Sequence, residues 1–160
     1  MVDFYDQITY NSIIDELNVT YTGGNLIYLE CPKKYKEFAW QCIEYLDIGH
    51  IDATIYIHTN KNLKCSHGLC WGDEEEVEIS LSTTVNKSLW DTRATIAHEL
   101  VHARQNLLGQ MCNEYGEHGT TVWKGRAYNH FLNEDNQPWE REAEALEEEM
   151  MNLFYPGKKP

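Results

Sequence analysis

At 160 residues, with 42% apolar content, five Trp and ten Tyr, the chain can fold as one domain, residues 1–160, around its own core. No apolar run approaches the roughly 20 residues of a membrane span, and the acidic start Met1-Val2-Asp3-Phe4-Tyr5-Asp6 lacks the layout of a secretory signal. A formal net charge of −13, from 13 basic and 26 acidic residues, argues against a nucleic-acid partner, because Lys and Arg must neutralise its phosphates. A cytoplasmic protein is therefore expected. The five cysteines (Cys31, Cys42, Cys65, Cys70, Cys112) include no C-x-x-C pair, so a zinc ribbon is not expected and free thiols are the default. Cys65 and Cys70 with His67 between them read either as a second metal site or, preferred, as two buried thiols flanking a turn at Ser66-His67-Gly68.

Asn11 or Ser12 can cap a short helix through Leu17. Val19-Thr20-Tyr21-Thr22, then Gly23-Gly24, then Asn25 to Leu29 read as two strands around a tight turn. Pro32 suits a first helical position, and Tyr35, Phe38, Ala39, Cys42, Ile43 and Leu46 recur at threes and fours. That spacing predicts an amphipathic helix to about Asp47, stopped by Gly49. Ile51, Ala53, Ile55 and Ile57 alternate with polar residues, as in a strand with one buried face, before a turn at Asn60-Lys61-Asn62. A second strand falls within Leu63–Trp71, bent at Gly68, and Val77, Ile79 and Leu81 mark a third. His50 and His58 read as polar-face or loop residues.

The next stretch, Ala97-His98-Glu99-Leu100-Val101-His102-Ala103, carries the chemistry. Four residues apart on a helix, His98 and His102 project from one face and can hold one cation. Glu99 can take the proton of a water whose pKa zinc lowers to about 7, so Zn2+ is the expected cofactor and Glu99 the general base. In a chain of this composition H-E-x-x-H arises by chance roughly once in thirty, so its context counts. Asp91 or Thr92 can cap the helix, Ile96, Ala97, Leu100, Val101 and Leu107 form a broad buried face, and Gly109 ends it.

Beyond Gly109 the chain reads as irregular to about Thr121. Residues 130–137 are loop-like, and Pro138 opens a last helix with Trp139, Ala143, Leu146, Met150, Leu153 and Phe154 as its apolar face. A catalytic zinc needs a third protein ligand. One candidate is Glu140, in the first turn of that last helix, with Glu144 placed to accept a hydrogen bond from a ligand histidine. The other is His118. Glu147-Glu148-Glu149 reads as a solvated face.

Ala97-His98-Glu99-Leu100-Val101-His102-Ala103-Arg104-Gln105 followed by His118-Gly119 resembles the SprT-like (Spartan-type) metallopeptidases, in which a histidine of a His-Gly segment is the third ligand. Here the aromatic Trp123 comes one residue late and no zinc ribbon follows. The longer combination of His98-Glu99-Leu100-Val101-His102, Trp123-Lys124-Gly125 and Pro138-Trp139-Glu140-Arg141-Glu142-Ala143 is more similar to small phage-type proteins of the minigluzincin kind, related in pattern to the ImmA/IrrE peptidases. That resemblance spans about residues 68–150. It implies a zincin-like fold, Glu140 as third ligand, and the host cytoplasm as location if the protein is phage-encoded.

The expected fold is α+β, with a small mixed or antiparallel sheet of about three to five strands packed on the His98 helix and the C-terminal helix. The expected function is zinc-dependent hydrolysis of peptide bonds in a protein or peptide substrate. The Val77–Leu81 strand is a candidate sheet edge for an extended substrate, and Tyr115, Tyr128 and His130 are candidate oxyanion stabilisers. Two other readings are an inactive metal-binding interaction module and a Spartan-like protease of DNA-associated proteins. The intact Glu99 weighs against the first, the acidic charge against the second.

Overall fold

Two short apolar runs form the antiparallel strands β1 (Val19–Thr22) and β2 (Asn25–Glu30) in the computed structural model, which describes residues 19–22, 25–114, 120–129 and 137–157. The helix expected near residues 11–17 and the loop at 130–136 lie outside the described residues. After β2, Pro32 serves as the N-cap of helix α1 (Lys33–Tyr45) rather than its first residue, and its carbonyl accepts from the Tyr35 amide at 2.9 Å. The helix buries Tyr35, Phe38, Ala39, Cys42 and Ile43, the face that the spacing predicts. Its end comes before Gly49. Asp47 turns left-handed (φ 55°), and the amides of Asp47 and Ile48 donate back to the carbonyls of Glu44 and Ile43, closing the last turn.

Helix α1 carries the chain across to β3 (Ala53–Asn60), which lies parallel to β2, as a strand–helix–strand crossover permits. Strands β4 (Gly68–Gly72) and β5 (Glu76–Ser82) complete a mixed five-stranded sheet in the order β1-β2-β3-β5-β4. β5 runs parallel to β3 (Ile55 opposite Val77) and antiparallel to β4 (Cys70 opposite Ile79). The Val77–Leu81 segment is therefore an inner strand, not the expected edge. The edge is β4.

Helix α2 (Leu89–Leu107) carries the H-E-x-x-H motif and packs on β4, β5 and α1. Its cap is Ser88 and not Asp91 or Thr92. The Ser88 hydroxyl accepts from the Asp91 amide at 3.0 Å, and the Asp91 carboxylate accepts from the Ser88 amide at 3.0 Å. This is a reciprocal capping box. At the other end Gly109 (φ 61°) takes the left-handed position, with Gly109 and Gln110 donating to the carbonyls of Asn106 and Gln105. Ile96, Ala97, Leu100, Val101 and Ala103 are fully buried against Ile55, Val77, Ile79 and Leu81 of the sheet and Phe38 and Ile43 of α1. Each buried Leu or Ile contributes about 1.5–3 kcal/mol.

The segment after Gly109 is more regular than its composition suggests. β6 (Met111–Glu114), β7 (Thr120–Trp123) and β8 (Arg126–Asn129) form a second, antiparallel sheet. Lys124 (φ 47°) and Gly125 (φ 79°) make the two-residue turn between β7 and β8, the left-handed pair that suits a tight hairpin. Helix α3 (Pro138–Phe154) follows, with Pro138 in its first turn. It buries Trp139, Ala143, Met150 and Met151, whereas Leu153, expected on the apolar face, is exposed. Trp123 and Tyr128 of the small sheet pack on Trp139 at ring distances of 6.4 and 5.8 Å. The architecture is thus α+β with two sheets rather than one. No helix among the described residues is long and apolar enough to cross a membrane.

Candidate metal centre

His98 and His102 sit one turn apart on α2, and Glu140 meets them from the first turn of α3. Contacts run in opposite chain senses along the two helices (Gln105 to Trp139 and Glu142, His102 to Glu140, His98 to Glu140 and Glu147), so α2 and α3 pass antiparallel. Three potential ligand atoms converge. Nε2 of His98 stands 3.2 Å from Nε2 of His102 and 3.2 Å from Oε2 of Glu140, and the His102–Glu140 distance is 3.4 Å. Atoms about 2.0–2.1 Å from one tetrahedral ion stand about 3.3–3.4 Å apart. The group could therefore hold a metal ion, and it is the one such group of three among the described residues. Cys65, Cys70 and His67 form no second group, and the two thiols are not both buried as expected: Cys65 is exposed and Cys70 half-buried.

Both imidazoles turn Nδ1 away from this triangle onto an oxygen. His98 Nδ1 stands 3.1 Å from Oε2 of Glu147, and His102 Nδ1 stands 2.8 Å from Oε1 of Gln105. The carboxylate beside His98 is thus Glu147, not Glu144, which only lines the same cleft. Glu147 thus departs from the solvated face expected of it, whereas Glu148 and Glu149 are exposed as expected, Glu149 accepting a hydrogen bond from the Tyr45 hydroxyl at the surface. Glu147 and Gln105 lie two turns from Glu140 and His98 respectively, and seven residues bring a side chain back to within about 20° of the same face. That spacing was the available signal.

The electrostatics follow from crowding these groups together. Burial opposes charge on His98, but hydrogen bonds to Glu140 and Glu147 and the nearby Glu99 outweigh it and push the ring up to about 10. His102 is likewise raised, with burial opposing and Glu140 prevailing. Burial raises the Glu140 carboxyl, yet its hydrogen bonds to the two histidines dominate and hold it at about 2. Glu99 is raised, chiefly by its own burial at 6% exposure.

These groups line a cleft of about 1060 Å³ between β4, the C-terminal helix and the small sheet. Glu99 is held at its base by a close approach. A Cβ on Gly68 of β4 would lie 2.7 Å from Glu99 Oε1 and 2.7 Å from Thr95 Cγ2, so only glycine leaves this space. The cleft wall also carries His67, expected either in a turn or as a metal partner. Its Nδ1 stands 2.7 Å from Asn86 Oδ1, and the Asn86 amide nitrogen donates to its carbonyl at 3.0 Å. His118, Tyr115 and His130 lie outside the described residues. Tyr128 packs edge-on against Trp139.

No family model, no curated protein and no solved structure matches the chain.

Proposed function

We propose that this chain is a zinc-dependent metallopeptidase of zincin-like architecture, in the manner of the minigluzincin-type proteins that its motifs resemble. The observation that carries the reading is the triangle of His98 Nε2, His102 Nε2 and Glu140 Oε2, 3.2–3.4 Å on a side, at the wall of a cleft that also contains the buried Glu99. Two nitrogens and one carboxylate oxygen form a donor set that zinc favours, with a fourth position left for water or substrate. Bound there, zinc supplies Lewis acidity toward a scissile carbonyl and acidifies water to about pKa 7.

The chain's own groups then divide the work. His98, His102 and Glu140 hold the ion. Glu99, its affinity for protons raised by burial, accepts a proton from the attacking water and passes it to the leaving nitrogen. Among the described residues strand β4 pairs with β5 on one side only, and residues 65–70 line the cleft, so an extended peptide can add to its outer edge beside the three proposed ligands. Leu69, 48% exposed on β4, offers such a peptide an apolar contact.

Two measurements test the reading. Elemental analysis of protein purified without chelators should find one zinc per chain, lost in His98→Ala and His102→Ala. Glu99→Gln should retain that zinc and lose cleavage of a generic peptide library by at least about 100-fold, the scale of general-base contributions. Wild type that takes up no zinc, or Glu99→Gln with unchanged turnover, would overturn the proposal.

A further inference from the structure

Gln105 is fully buried, and every polar atom of its side chain is engaged. Its Nε2 donates to the Trp139 carbonyl at 3.1 Å and to Oε2 of Glu142 at 3.0 Å. Both partners can only accept, so the amide has one orientation, with nitrogen toward α3 and Oε1 toward His102. An amide oxygen cannot donate. The 2.8 Å contact between Oε1 and His102 Nδ1 therefore requires a proton on Nδ1, so Nε2, which faces Glu140 and His98, is the ring atom available to a metal once its own proton has left. A carboxylate in place of this amide would turn oxygens toward the Trp139 carbonyl and Glu142. A histidine there would lack the two-donor, one-acceptor fork.

The clamp extends outward. Glu142 Oε1 accepts from Lys124 Nζ at 3.0 Å, and the Lys124 amide donates to the Gln110 carbonyl at 2.7 Å. Lys124 lies in the β7–β8 turn, so the small sheet, α3 and α2 meet at Gln105 through one chain of hydrogen bonds. We infer that Gln105 is a positioning residue that fixes His102 in its metal-binding tautomer, and that Glu142 acts on the same histidine through Gln105. The inference rests on His102 being a metal ligand, as proposed above.

The test uses the full chain with zinc alone as the probe, in wild type, Gln105→Met, Glu142→Ala and the double variant. Methionine keeps the unbranched shape and removes the hydrogen bonds. Two quantities are read: the zinc dissociation constant from competition with a chromogenic chelator, and solvent exchange of the His102 Nδ1 proton in the zinc-loaded protein by NMR. Gln105→Met should weaken zinc about 10–100-fold, the range for groups that orient a ligand histidine, and should expose the Nδ1 proton to exchange. Glu142→Ala should weaken zinc less, and should add nothing in the double variant, since both act through one contact. Zinc affinity within about two-fold of wild type with a still-protected Nδ1 proton would show that Gln105 only packs, whatever happens to Tm. Additive effects in the double variant would overturn the route through Glu142. If Gln105→Met does not fold, Glu142→Ala decides alone: faster Nδ1 exchange supports the inference and unchanged exchange overturns it. Wild type that binds no zinc defeats the metal reading itself, and this inference with it.

Discussion

Gly68 of the edge strand and Glu99 of the motif helix share one volume: a Cβ on the glycine would stand 2.7 Å from the glutamate's Oε1 and 2.9 Å from its Cγ. The position of the proposed base is thus set by a residue with no side chain, on a different element. Gly68→Ala should displace the Glu99 carboxylate. Overpacking of this kind costs about 1–3 kcal/mol of stability. Activity should fall at least about ten-fold, because a base must stay within hydrogen-bond reach, while zinc content should stay at one per chain because Glu99 is not one of the proposed ligands. Thermal melts, zinc analysis and peptide cleavage on the same preparation check the three outcomes. Unchanged turnover would show that the base tolerates the shift.

The proposed ligand set makes a ranked forecast. Glu140→Gln replaces an anionic oxygen by a neutral amide within 3.2–3.4 Å of both histidines and should weaken zinc most. Glu147→Gln removes the carboxylate partner of His98 Nδ1 and should cost about 10–100-fold. Glu144→Gln, which only lines the cleft, should stay within a few-fold of wild type. His118→Ala should also bind zinc as wild type does. Chelator competition on these four variants gives the order, and a dominant loss in His118→Ala would transfer the third position to that histidine.

Protons and metal compete for the same atoms, which makes the metal-stripped protein sensitive to pH. Despite its burial, the carboxylates around His98 raise it from 6.5 to about 10, so its contribution to stability is complete below pH 6.5 and is lost as pH climbs through 10. Although burial opposes it, Glu140 is lowered from 4.5 to about 2 by the histidines, so its contribution is present above pH 4.5 and is lost as pH falls through 2. The cluster therefore stabilises the stripped protein most between pH 4.5 and 6.5. The Tm difference between stripped wild type and stripped Glu140→Gln should shrink steadily from pH 6.5 to 10. Zinc affinity should move the other way and rise with pH, since the His98 proton must leave before Nε2 can bind metal.

The capping box at the start of α2 gives a prediction independent of any metal. Ser88→Ala removes the acceptor for the Asp91 amide and should cost about 0.5–2 kcal/mol. Asp91→Asn keeps an acceptor oxygen toward the Ser88 amide and should cost less, because only the charge near the helix N-terminus is lost. Chemical denaturation with unchanged m-value is the measurement.

What the amino-acid sequence determined by itself was local and periodic. The alternation in Ala53–Ile57 and Val77–Leu81, the apolar face of α1, the Pro138 helix start and the four-residue spacing of His98 and His102 all follow from side-chain direction within one element. The α+β class follows from those elements together. Even within elements some signals went unread, since Ser88-x-x-Asp91 is a capping box on inspection and Lys124-Gly125 is a hairpin turn between short polar strands whose alternation is too weak to see. The rest required elements to meet. Whether Val77–Leu81 or Gly68–Gly72 is the edge depends on pairing across the sheet, which no single strand encodes. Residues Glu140, Glu144 and Glu147 are all acids on one helix. Only its antiparallel passage against α2 brings Glu140 to both histidines and Glu147 to His98, and leaves Glu144 beside the cleft. Gln105 and Gly68 illustrate the same limit: one is a buried amide and the other an absent side chain, and neither carries a chemical signal until a second element approaches within hydrogen-bond or contact distance.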